Sequence, residues 1–132
     1  MRLIPFHEEH LWGLEADLRH NQDARDLLRA HPELLSALQE HCWTLEHAGE
    51  ILGCGGRVPR AGGGWSWWVL LTPAAWHRAV GVTRTLRHHL EHSEGRHYAH
   101  AVDPAAGEYL EVLGFLPLGQ QEHGFALYER AA

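Results

Sequence analysis

Residues 65–86 read WSWWVLLTPAAWHRAVGVTRTL, a strand pattern that changes into a helix pattern. The part up to Thr72 is rich in large apolar residues and predicts a buried strand, which Pro73 ends. After Pro73 the apolar positions repeat with the period of a helix. One face of this helix is predicted to carry Trp76, Ala79, Val80, Thr83, Leu86 and Leu90.

Gly81 lies in the first part of that predicted helix. The first N–H groups of a helix have no partner within it, and the positive end of the helix dipole lies at the same place. Glycine lets the backbone approach a phosphate closely, and Arg78 adds a positive charge. The segment therefore predicts an anion site of the phosphate-binding type. A packing role for Gly81 is the alternative.

The rest of the chain predicts an α/β fold in a single domain over residues 1–132. Asp103 is the predicted N-cap of one helix and Gly114 its C-terminal cap. The element order is β-α-α-β-β-β-α-β-α-β-β, a twisted mixed sheet flanked by helices. Strands are predicted at 1–6, 42–47, 50–58, 65–72, 96–102 and in a hairpin over 115–130, and helices at 7–20, 31–41, 76–92 and 103–114.

Composition limits the function classes. Residues 51–102 carry six arginines against two acids, whereas the segments on either side are net acidic and the whole chain has a net charge of −6. Nucleic-acid binding is therefore not expected. A small anionic ligand is expected to bind at the middle of the chain. The alternative is that these arginines are ordinary solvated surface residues. Two cysteines, no long apolar run and an early charge predict a cytoplasmic protein without a membrane segment.

The order of motifs resembles the GNAT acetyltransferase superfamily. Arg78-x-x-Gly81-x-Thr83, after a strand and opening a helix, is similar to the R/Q-x-x-G-x-G/A segment of that family, and DPAAGEYLEVLGF at 103–115 is similar to its Asn-x-x-Ala helix ending in Leu-Gly-Phe. The resemblance implies acetyl-CoA as co-substrate. The implied cofactor-binding residues are Val69, Leu70 and Leu71 beside the pantetheine arm, Arg78, Ala79, Val80, Gly81, Val82 and Thr83 around the pyrophosphate, and Asp103 in the asparagine position.

The catalytic residues depart from the family pattern. Leu110 occupies the position of the tyrosine that protonates the departing thiolate, and Tyr109 is one residue away, turned by about 100° on the helix. Residues that could serve as base toward an amine are Glu46 or Glu50 beside the first hairpin turn and His77 or His123. Of these, Glu50 and His123 are the predicted catalytic residues. Each is also an ordinary surface residue.

Two further hypotheses come from the sequence. The Trp-rich strand, the arginine-bearing helix and Leu110 resemble the small GNAT-like, internal virion type proteins of tailed bacteriophages, which implies a virion-associated structural or interaction protein without turnover. His88 and His92, four residues apart, have a spacing that can ligate zinc, but a solvated helix face explains them better, and no metal site is predicted.

The first functional prediction is therefore an N-acyltransferase that moves an acetyl group from acetyl-CoA to a small-molecule or protein amine. The second is a catalytically degenerate protein of the same fold, with phage structural proteins or further copies of the chain as partners.

Overall fold

The computed structural model describes residues 1–10, 30 and 39–131. Within them the strands are β1 (Arg2–Pro5), β2 (Cys42–His47), β3 (Glu50–Pro59), β4 (Trp65–Leu71), β5 (His97–Ala101), β6 (Leu116–Glu122) and β7 (Phe125–Arg130), and the helices are α1 (Pro73–Trp76), α2 (Ala79–Glu91) and α3 (Pro104–Val112). The seven strands form one mixed sheet in the order β1-β2-β3-β4-β5-β7-β6. The predicted mixed α/β fold is confirmed.

The predicted helices at 7–20 and 31–41 lie largely outside the described residues. Residues 8–10 are helical, and Gln39–His41 form a short 3-10 helix that leads into β2.

The chain divides into two compact units, one made of Met1–Arg57 and Trp68–Val82, the other of Val58–Trp67 and Thr83–Ala132. The single domain over 1–132 stays a prediction. Buried apolar side chains form the interior of each unit. In the first unit they are Phe6, Trp43, Leu45, Leu52, Cys54, Leu71, Ala75 and Val82, and in the second Trp67, Leu86, Leu90, Ala99, Ala101, Leu113, Phe115 and Leu127.

The β2–β3 hairpin turns at Ala48 and Gly49, which both have positive φ angles, of 51° and 81°. The three β3 glycines, Gly53, Gly55 and Gly56, are required by close packing. A Cβ atom at Gly55 would lie 2.6 Å from the carbonyl oxygen of Trp68 and 2.7 Å from the Trp43 ring. One at Gly53 would meet the carbonyl oxygen of Leu70. These glycines let β3 lie close to its neighbours.

The predicted single helix over 76–92 is wrong at its start. Pro73 opens the short helix α1, the N–H of Arg78 bonds to the carbonyl of Ala75, and the N–H of Val82 bonds to the carbonyl of Arg78 to begin α2. Val80 and Val82 both lie in α2, two residues apart, and so face roughly opposite sides of the helix. The buried positions of α2 are therefore Val82, Leu86 and Leu90, whereas Trp76 and Val80, predicted to face inward, are 52% and 74% exposed.

The elements after α2 agree with the sequence. β4 and β5 pair in parallel, with Trp65 opposite His97 and Ser66 opposite Tyr98. Helix α3 begins at the predicted N-cap, where the Asp103 carboxylate accepts a 2.7 Å hydrogen bond from the N–H of Ala106. Gly114 has a φ of 97°, the left-handed conformation typical of a residue that ends a helix.

Candidate functional site

The first turn of α2 has the features of an anion site. Ala79 and Val80 are its first two residues, so their N–H groups have no partner within the helix. The first turn carries no acidic side chain that would neutralise the positive helix end. Arg78 is exposed immediately before it. Backbone donors and a cation together suit a phosphate group.

Gly81 is not required by tight packing. A Cβ atom there would meet the tip of the Met1 side chain, with 3.2 Å to its Cε atom, and that flexible tip can move. Glycine within a helix costs up to about 1 kcal/mol relative to alanine. Tight packing therefore does not require this glycine.

The strand that precedes this turn holds the other predicted cofactor residues of the first unit. Val69 and Leu70 are half-buried near the end of β4, and Leu71 is buried. Thr72 follows as the N-cap of α1, and its backbone N–H and hydroxyl both donate to the carbonyl of Leu52. These bonds fix the point at which the chain leaves the sheet and turns toward α2.

Thr83 and Asp103 lie in the second unit. The Thr83 hydroxyl oxygen is 3.1 Å from the phenol oxygen of Tyr109, so Tyr109 turns toward α2. Burial raises the pKa of Tyr109, which keeps the phenol protonated. Asp103 caps α3 through Ala106, as described above. Leu110, in the family's tyrosine position, is half-buried beside Tyr109.

Three of the predicted bases are exposed, whereas Glu46 is half-buried near the end of β2. Glu50 is exposed at the start of β3, and Glu46 forms a 3.4 Å ion pair with Arg2. His77 is exposed between α1 and α2. His123 is exposed in the turn between β6 and β7, with a φ of 56°.

A polar cluster that the sequence analysis missed lies in the second unit. We call it the Glu122 cluster, and it consists of Arg60, Ser66, Tyr98, His100 and Glu122. The Arg60 guanidinium donates to both carboxylate oxygens of Glu122, at 2.7 and 3.0 Å, and to the Ser66 hydroxyl at 2.9 Å. It also lies 4.4 Å above the centre of the Tyr98 ring. His100 Nε2 is 2.9 Å from a Glu122 oxygen.

The bidentate bond to Arg60, together with the His100 bond, lowers the pKa of Glu122 from its ordinary value of 4.5 to about 2. Glu122 is therefore ionised near neutral pH. No local pattern in the sequence marks this cluster, because Arg60 comes from the loop between β3 and β4 and Glu122 from the end of β6.

The histidines in and directly after α2 form no metal site in the described part of the chain. The His88 and His92 rings stack with their centres 4.2 Å apart, and His92 Nδ1 is 2.8 Å from the carbonyl oxygen of His88. Among residues 1–10, 30 and 39–131, no group of three or more histidine, cysteine or acidic side chains could hold a metal ion. No helix of the described residues is long and apolar enough to span a membrane.

No protein-family model matches the sequence, and no curated protein matches it. Several solved structures do match it. A chain from Bordetella pertussis assigned to the GnaT family of acetyltransferases matches with a TM-score of 0.62 and 20% identity, over 98% of this chain and 94% of that one. N-acetylglutamate synthase from Neisseria gonorrhoeae, solved with coenzyme A and N-acetyl-glutamate, matches with a TM-score of 0.67 and 17% identity. This match covers 98% of the present chain and 34% of the synthase. At these identities the likeness shows the fold, and the chain therefore has the fold of the GNAT acetyltransferases.

Proposed function

We propose that the protein is an N-acetyltransferase that uses acetyl-CoA. The observation that carries this proposal is the first turn of α2, where two backbone N–H groups and Arg78 lie at a helix end without acidic side chains. This turn follows β4 in a fold shared with an enzyme that was solved with coenzyme A. The shared fold alone would not assign an activity, so the proposal depends on this site.

The donors present fit the co-substrate. The N–H groups of Ala79 and Val80, with Gly81, Val82 and Thr83 behind them in the same helix, would hold the pyrophosphate, and the Arg78 side chain would neutralise part of its charge. The backbone of Val69, Leu70 and Leu71 at the end of β4 would pair with the amide groups of the pantetheine arm. Asp103 is kept as a predicted contact, although its carboxylate caps α3.

Acetyl-CoA, when bound, supplies an acetyl group activated as a thioester. The residues of the chain would orient it toward an amine, and holding both reactants in one geometry contributes much of the rate in such reactions. Glu50 and His123 stay the bases that the sequence predicts. The acceptor would be a small molecule or a protein that carries a free amine.

Calorimetric titration with acetyl-CoA tests this assignment. Arg78→Ala should raise the Kd about tenfold or more, since a charge-assisted hydrogen bond to phosphate contributes roughly 1.5–3 kcal/mol. Arg87→Ala is the matched control, because Arg87 is likewise exposed but lies in α2 away from its first turn. An equal loss of affinity in both variants would mean that any arginine on this surface attracts acetyl-CoA to the same extent. That result would contradict the proposed site.

A structural or interaction protein of a phage virion is the second candidate. Exposed apolar side chains favour it: Leu116 and Leu118 on β6, which is an edge strand of the sheet, and Phe125 on β7 are 69%, 40% and 43% exposed. Such side chains suit contact with another protein or a further copy of the chain. The phage origin stays a prediction from the sequence. A folded protein that shows no heat with millimolar acetyl-CoA would favour this candidate over the enzyme.

A further inference from the structure

The Met1 side chain lies against the start of α2. A Cβ atom built at Gly81 would lie 3.2 Å from the Met1 Cε atom and 3.6 Å from its Sδ atom. Every Cα–Cβ bond of a helix tilts toward the helix N-terminus, so this Cβ position faces back over the first turn. The tip of Met1 is therefore next to the backbone that begins with Ala79 and Val80. Met1 and Gly81 both belong to the first unit.

This contact can open without disturbing the fold. The Met1 side chain is 36% exposed. The strand pairing of β1 begins with Arg2 opposite Glu46, so Met1 stands outside the ladder. Methionine is unbranched and turns about several single bonds, which makes its tip one of the most mobile apolar groups. A rotation of the Met1 side chain therefore exposes the backbone at Gly81 while β1 and α2 stay in place.

We propose that Met1 makes an autoinhibitory contact: its tip covers the backbone at Gly81 and leaves when the phosphates of acetyl-CoA bind there. This inference rests on the co-substrate site proposed above. In such an exchange the apparent Kd is the intrinsic Kd divided by the fraction of molecules in which the tip has already moved away. The Met1 contact therefore weakens co-substrate binding by a factor that the residue at position 1 controls.

The contact itself can be tested without a ligand. The chain has one methionine, so labelling the methionine methyl group gives an NMR signal that belongs to Met1. In Gly81→Ala the added methyl group takes the place of the tip, and the Met1 signal should move. In Gly62→Ala, where a Cβ atom meets open space, the signal should stay where it is. An unmoved signal in Gly81→Ala would overturn the proposal.

The same signal reports what binding does. Coenzyme A is the probe, because it carries the phosphates without the reactive acetyl group. During its titration the Met1 methyl signal should move toward the position of free methionine and become narrower, with the Kd that calorimetry gives. A signal that stays unchanged while calorimetry shows binding would overturn the proposal.

Shortening the side chain gives the third test. Met1→Ala removes the covering tip, so the coenzyme A Kd should fall about fourfold, which corresponds to the roughly 0.8 kcal/mol of one buried CH₂ group. The proteins are released from a cleavable fusion, so that any residue can stand at position 1. Leu118→Ala is the control, because Leu118 is 40% exposed and lies in the second unit, and it should keep the wild-type Kd. An unchanged or higher Kd in Met1→Ala would overturn the proposal.

The outcomes separate this inference from the co-substrate site. Binding that depends on Arg78 but moves neither the Met1 signal nor, in Met1→Ala, the Kd would overturn the role of Met1 and leave the site intact. Binding by Met1→Ala alone would support both. The absence of coenzyme A binding in the wild-type protein and in Met1→Ala would overturn both.

Discussion

The phenol oxygen of Tyr109 lies 3.1 Å from the hydroxyl oxygen of Thr83, which joins α3 to α2. Sequence alignment with the family pattern puts Leu110 in the tyrosine position and Tyr109 on a different face of the helix. In the structure the Tyr109 hydroxyl nevertheless lies within hydrogen-bond distance of Thr83, the last residue of the Arg78–Thr83 segment. A phenol is therefore present near this helix although the family register lacks it.

Removal of the Tyr109 hydroxyl should cost about 1 kcal/mol of unfolding free energy, the usual contribution of a partly buried hydrogen bond. Tyr109→Phe and Thr83→Val should each lose this amount, and the double variant should lose little more than either alone. Urea unfolding of the four proteins measures the coupling. Strictly additive losses would mean that the two hydroxyls do not interact.

The Asp103 carboxylate should be replaceable by an amide but not by a methyl group. Asp103→Ala should lower the unfolding free energy by about 1 kcal/mol, because the N–H of Ala106 loses its partner. Asp103→Asn should stay within a few tenths of a kcal/mol of the wild-type protein, since asparagine is an equally good N-cap. Thermal or urea unfolding decides, and an equal loss in both variants would show that the negative charge itself is needed.

Acid should weaken the Glu122 cluster. The pKa of Glu122 is lowered in the folded protein, so its contribution to stability is complete above the ordinary pKa of 4.5 and is lost as the pH falls toward 2. The stability advantage of the wild-type protein over Glu122→Gln should shrink across this pH range. Urea midpoints at pH 6, 4, 3 and 2 measure it. Glu108→Gln, which alters an exposed carboxylate of α3, is the control, and an equal pH response in the two variants would contradict the account.

Gly81→Ala should separate stability from binding. Alanine is the better helix former, and its methyl group would meet only the flexible tip of Met1, so stability should be unchanged or higher by up to about 1 kcal/mol. In the proposed site the phosphates approach the backbone at Gly81, so a methyl group there should raise the acetyl-CoA Kd by about tenfold, or roughly 1.4 kcal/mol. Gly62→Ala, at a loop position with open space, should change neither quantity much. Unchanged affinity in Gly81→Ala would make the glycine a packing detail.

The sequence predicts most of the described fold because the strands and α3 carry strong local signals. Alternating apolar residues mark the hairpins, and Asp103 and Gly114 mark the ends of α3 through their capping chemistry. The break between α1 and α2 has no such marker. His77 and Arg78 suit the middle of a helix as well as a turn, so the sequence predicts one continuous helix. Trp76 and Val80 are predicted to face inward in it, but both are exposed in the structure.

The candidate site was predictable only where it is contiguous in sequence. The segment from Arg78 to Thr83 is a local pattern, and the structure places it at the start of a helix after a strand, as expected. The Glu122 cluster instead joins Arg60 from a loop, His100 from β5 and Glu122 from β6. Each looks like a solvated residue in sequence, and only the order of strands brings them within hydrogen-bond distance.

The most direct measurement compares acetyl-CoA binding by Val80→Glu and Val112→Glu in calorimetric titrations at one salt concentration. Both valines are more than half exposed, so the two variants introduce the same charge without disturbing the interior. An acid in the first turn of α2 favours the helix but repels phosphate. The account predicts that Val80→Glu keeps or raises the melting temperature and loses binding, while Val112→Glu binds like the wild-type protein. Wild-type affinity in Val80→Glu would contradict the central claim that this helix end holds the phosphates of coenzyme A.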